Sequence, residues 1–141
     1  MWMVTVATKE DQHAWETCLR EGIICMGWPT QEGETERPQV KQFKKIEPGD
    51  WVVAHVPSSH GGEPCLARGL GRVAGNYEEV PGSELIAKGS EWWDWSVRRQ
   101  YQVTWNHVRD VSLRGAVSHY IGTVRHLTED EEREVLKRFR V

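Results

Sequence analysis

The chain has little cysteine, no long apolar run and almost no net charge, and each shortage removes a class of protein. Its three cysteines, Cys18, Cys25 and Cys65, are odd in number and widely spaced, so they give neither a disulfide framework nor a zinc pattern. They read as small core residues. The six histidines are equally scattered, with no pair at a ligand spacing across a carboxylate, so no metal and no cofactor is expected. No apolar stretch approaches the roughly 20 residues that span a bilayer. The start, MWMVTVATKED, lacks the basic and apolar segments of a signal peptide, so no membrane partner and a cytoplasmic location are expected. The formal net charge of -3 argues against coating nucleic acid through bulk electrostatics, although a local basic face is compatible with it.

What is present fits an ordinary globular chain: 141 residues, 38% hydrophobic and 28% charged, enough for one domain over residues 1–141 with its own core. Trp2 to Ala7 reads as a strand. A helix follows, with Thr8 at its cap, Asp11 near the positive end of its dipole, and Ala14, Trp15, Cys18 and Leu19 on one face; Gly22 stops it. Ile23 to Gly27 is a second strand, ending at Trp28 and Pro29. Residues 29–42 form a long polar connection closing in a helical turn that buries Val40 and Phe43. Pro48-Gly49-Asp50 is a turn before a β-branched strand. In CLARGLGRVAGNY, three glycines inside a strand pattern mark bulges, sharp bends or close backbone approaches.

The stretch from Tyr101 through Leu113 alternates and reads as one long or bent strand, and Ile121 to Leu127 as the last. Thr128 with Glu131 forms a capping box for a terminal helix whose face is Val135, Leu136 and Phe139. The fold class is therefore α+β or mixed α/β: a small barrel of about six strands flanked by helices.

Eight tryptophans remain to be placed. Trp105 in an alternating strand, Trp15 on a helix face, Trp51 at a strand start and Trp2 read as core. Trp28, Trp92, Trp93 and Trp95 do not. Neighbours on a strand point to opposite faces, so Trp92 and Trp93 cannot share one interior, and the residues around them are polar. Two readings stay open. The rings grip a flat or cationic guest, or they form a cluster covering the mouth of the barrel.

The ordered set GIICMGW, PGDWVV, GLGRVAGNY and VTWNHVRDV, with a tryptophan-bearing loop before the last, resembles the EVE and YTH domains of the PUA-like superfamily, from about Trp2 to Leu113. The resemblance implies a compact barrel with flanking helices, no cofactor and no catalytic residues, reading a modified base of DNA or RNA in an aromatic cage. Trp28 matches the first cage wall. Trp92 matches the second by its separation from Trp105, with Trp93 or Trp95 as a third face. Pro29 stands where YTH readers carry a small polar residue, which places the chain nearer the EVE branch.

The candidate phosphate contacts are Lys44, Lys45, Arg72, Arg98 and Arg99, which flank the pocket elements. A nuclease or other effector partner is compatible with such a reader. Two competing functions remain: a small PUA-like ribonuclease using His55, His60 or His107 as acid and base, and a cage for a methylated amine.

Overall fold

Strand β1 (Trp2–Thr5) runs near one side of a mixed sheet, where its alternating residues serve two cores at once. In the computed structural model of the chain, which describes residues 1–6, 13–26, 38–57, 64–81, 97–118 and 123–141, β1 is followed by helix α1 (His13–Glu21) and strand β2 (Ile23–Met26). Next come α2 (Pro38–Phe43), β3 (Trp51–Pro57), β4 (Pro64–Val73) and β5 (Glu78–Pro81). The long β6 (Val97–Ser112), β7 (Val124–His126) and α3 (Glu129–Arg138) complete the order. The sheet runs β2-β6-β4-β3-β1-β7, with β5 pairing on β6 beside that path. All neighbours are antiparallel except β1 and β3. The fold is thus α+β with a curled half-barrel sheet, as expected from the sequence.

The expected cap at Thr8 and Asp11 lies outside the described residues. The rest of α1 follows its pattern with one correction. Ala14, Trp15 and Cys18 are buried, but Leu19 is 39% exposed and Thr17 is buried in its place. Leu19 and Thr17 flank the Ala14-Trp15-Cys18 stripe on opposite sides, and the helix is rolled toward Thr17. Gly22 ends α1 at φ +65, the left-handed conformation that a residue without Cβ adopts freely. The Pro48-Gly49-Asp50 turn is closed by Asp50, whose carboxylate accepts from Glu47 N–H at 2.9 Å and from the Trp2 indole at 3.1 Å. Thr128 and Glu131 form the expected capping box on α3.

Two cores lie on opposite faces of the sheet. Trp2, Val4, Trp15, Ile24, Phe43 and Tyr101 belong to one; Met3, Val53, Leu70, Leu113, Val135 and Phe139 belong to the other, under α3. Trp105 and Trp51 were expected in the core but are only half-buried at its margins. Trp105 donates its indole N–H to the Cys18 carbonyl at 3.2 Å and meets Trp15 edge-on. Trp51 carries the Arg72 guanidinium 3.8 Å above its ring.

The glycines of β4 permit the curl. Register shifts interrupt the β4-β6 ladder between Ala67 and Gly69 and between Leu70 and Gly71. A Cβ on Gly71 would lie 2.5 Å from the Thr104 carbonyl oxygen, and one on Gly69 would lie 2.8 Å from the Trp15 ring. The first neighbour is backbone and cannot move aside. Gly71→Ala is therefore expected to destabilise the protein by about 1–3 kcal/mol in urea unfolding, whereas Gly75→Ala, whose nearest neighbour would be 3.4 Å away, should change stability by less than about 1 kcal/mol.

Candidate nucleic-acid interface

The first half of β6 has a strand on each side. Arg99 pairs with Met26 of β2 and with Glu79 of β5, and Val97 pairs with Pro81. The end of β2, the end of β5 and the start of β6 therefore lie side by side. From these strand ends the chain runs into segment 27–37 after Met26 and into segment 82–96 between Pro81 and Val97. Trp28 is two residues beyond Met26, and Trp95 is two residues before Val97. Trp28, Trp92, Trp93 and Trp95 themselves lie outside the described residues.

Helix α1 folds back along β2 around Gly22, bringing the Cys18 and Cys25 thiols to 3.3 Å. The Cys25 hydrogen bond and burial push the Cys18 thiol well above its ordinary value. Both cysteines are buried, as expected of small core residues; the Cys65 side chain is not among those described.

The five candidate phosphate contacts fall into two groups. Lys44, Lys45 and Arg72 are exposed. The Lys44 ammonium lies 5.4 Å from the Tyr77 ring centre, and Arg72 donates to the Gly49 carbonyl at 2.8 Å while covering Trp51. Arg98 and Arg99, by contrast, are 7% and 5% exposed. They point to opposite faces of β6, so both faces are covered at its start. Arg98 is held by Glu21 of α1 at 3.1 Å, as a guanidinium withdrawn from water must be. Nothing in the local sequence identified Glu21 or Gln100 as part of this region. The strand alternation of RRQYQV puts Arg98 and Gln100 on one face and Arg99 and Tyr101 on the other. Tyr101, fully buried, donates to the Phe43 carbonyl at 2.7 Å. Burial, with the Asp50 charge, raises its phenol to about 12, so it serves as a neutral pillar beneath this edge.

The histidines do not assemble into an acid-base pair among the described residues. His107 is half-buried near Phe139, and His60 lies outside the described residues. His55 is 2% exposed; its Nδ1 lies 3.1 Å from Thr5 Oγ1, and its Nε2 is buried with no hydrogen-bond partner among the described residues. Burial lowers His55 to about 4.

The fold is YTH-like. The structure is similar to the YTH domain of the Zygosaccharomyces rouxii MRB1 protein, solved in complex with N6-methyladenosine RNA, with a TM-score of 0.55 over 98% of this chain and 86% of that one. The sequences are 14% identical, so the likeness is one of fold. No family model matches the chain, and no curated protein matches it in sequence.

The buried imidazole has a consequence for stability. Because the fold favours neutral His55, the unfolded chain binds the extra proton between the ordinary value of 6.5 and about 4. Stability is fully present above pH 6.5 and is lost as pH falls through that window, by on the order of 3 kcal/mol. Urea unfolding of the wild type at pH 7 and pH 4.5 should show this loss, and His55→Gln should show a smaller difference between the two pH values.

Proposed function

We propose that the chain is a non-enzymatic reader of a methylated nucleobase in DNA or RNA, nearer the EVE branch than the true YTH readers. Trp28 forms one wall of an aromatic cage, and two of Trp92, Trp93 and Trp95 form the others. The observation that carries this reading is the register at the start of β6, which anchors both tryptophan-bearing segments on adjacent strand ends. The sequence resemblance and the shared fold with a domain solved on methylated RNA support it independently.

The energetics are consistent with such a task. Extruding a base from a duplex costs a few kcal/mol, less from a single strand. Stacking on each aromatic wall returns about 1–3 kcal/mol. A methyl group filling the cage adds about 0.8 kcal/mol as one buried carbon, and more if the pocket is tight. Preference for the methylated base is therefore expected near tenfold. Long-range attraction to phosphates falls to the exposed Lys44, Lys45 and Arg72, since Arg98 and Arg99 are turned inward.

The test is a binding panel of single-stranded DNA and RNA oligonucleotides carrying N6-methyladenine, 5-methylcytosine or the unmodified base. Wild-type protein should prefer one modified probe by about tenfold. Trp28→Ala and Trp92→Ala should abolish that preference and leave the melting temperature nearly unchanged. Loss of fold in both variants would return these rings to the core and overturn the reading. A quaternary amine that competes as well as the modified oligonucleotide would redirect it to methylated amines.

A further inference from the structure

Cys18 sits on the buried face of α1 and Cys25 on β2, and Gly22 reverses the chain between them at φ +65. The fold thereby sets two free thiols against each other, with the sulfurs 3.3 Å apart. Cys18 is 0% exposed and Cys25 3%. Among the described residues no third His, Cys, Asp or Glu joins them as a ligand group, so the pair falls short of the four ligands of a structural zinc site. Two thiols in contact can instead give up two electrons together.

The backbone holds both residues in this relation. The Cys18 carbonyl accepts from the Trp105 indole of β6 at 3.2 Å, and Cys25 pairs with Gln100 of the same strand. Each cysteine is thus tied to β6 separately from its contact with the other. A disulfide needs its sulfurs about 2.05 Å apart, so the remaining gap is about 1.3 Å. That is close to the ordinary thermal displacement of an atom in a folded protein.

We propose that Cys18 and Cys25 form a reversible oxidation site, which hydrogen peroxide closes to a disulfide that ties α1 to β2. Near-complete burial favours an oxidant this small over a bulky disulfide such as oxidised glutathione. Cys25 is the sulfur on the residue with residual surface, and the hydrogen bond to Cys25, with burial, keeps the Cys18 thiol protonated, so Cys25 reacts first. Its thiolate attacks a peroxide oxygen, the O–O bond breaks, and the hydroxide released takes up the Cys25 proton as water, leaving a sulfenic acid. The Cys18 sulfur then attacks the Cys25 sulfur. The S–S bond forms, the S–O bond breaks, and the departing hydroxide takes up the Cys18 proton. Two thiols are oxidised and one peroxide is reduced, giving one disulfide and two waters. The bond closes a loop of about eight residues and restricts the unfolded chain, so the oxidised form is the more stable one. The site is independent of what the tryptophan-bearing segments bind.

The experiment treats the folded wild-type protein with excess hydrogen peroxide in native buffer, blocks remaining thiols with N-ethylmaleimide, and maps tryptic peptides without reduction. Trypsin cuts after Arg20, which lies between the two cysteines, so their peptides stay together only through a disulfide. The expected result is a linked Cys18-Cys25 pair and a melting temperature higher by about 5 °C, both reversed by dithiothreitol. Cys65→Ala should behave like wild type. Cys18→Ala, treated in parallel, should show neither the link nor the rise, which separates the bond from methionine oxidation. The peptide map of the wild type decides the matter even where that variant folds poorly. Cys18 and Cys25 peptides recovered as maleimide adducts or as unlinked sulfinic acids would overturn the site, as would a link from either to Cys65. A link that forms only in urea strong enough to unfold the chain would overturn it too.

Discussion

Arg99 has a strand on either side, with Met26 of β2 opposite it on one flank and Glu79 of β5 on the other. That three-strand register is the constraint on which the account depends, because it fixes where two long segments leave and rejoin the sheet. It exists only because β6 changes partners along its length. Its second half pairs with β4 from Val103 to Ser112, while its first half lies between β2 and β5. Near this exchange β4 approaches β6 so closely that a Cβ on Gly71 would lie 2.5 Å from the Thr104 carbonyl oxygen.

The charged residues at that edge have a structural role as well. A pair of arginines in a strand would ordinarily be a solvated surface feature, yet here both are nearly withdrawn from water, and Arg98 is tied to the end of α1 through Glu21. This tie joins α1 to β6, while the close Cys18-Cys25 contact holds α1 against β2. Of the five candidate phosphate contacts, Lys44, Lys45 and Arg72 keep their charge exposed, and Arg72 is already stacked on Trp51. Weak surface charge and a net charge of -3 agree with recognition through stacking and hydrogen bonds more than through bulk attraction to phosphate.

Elements with strong local chemistry were legible in the sequence. The Gly22 stop, the Pro-Gly-Asp turn, the long alternating β6 and the Thr128-Glu131 capping box all depend on residues a few positions apart. The glycines of β4 read correctly as sites of close approach, though not as to which atoms they face. β5 escaped notice because EEVP has no apolar alternation; β6 alone makes it a strand. The burial of Arg98 was invisible for a similar reason: its partner Glu21 is distant in sequence and unremarkable on a helix end. Trp51 and Trp105 read as core from their strand positions, whereas each sits at a margin where a cation or a carbonyl takes up its exposed side. For the proposed cage, the four tryptophans come from the sequence, and the fold adds the adjacency of the strand ends their segments leave from.

The central claim is that rings from two distant segments meet around one planar guest. The most direct measurement is fluorine NMR of protein carrying fluorinated tryptophan, assigned by single Trp→Phe substitutions and titrated with the modified nucleoside. The account predicts that Trp28 and at least one of Trp92, Trp93 and Trp95 shift together along a common binding curve while Trp15 and Trp105 stay in place. Movement of only one of the two segments, or of Trp15 and Trp105 instead, would contradict it.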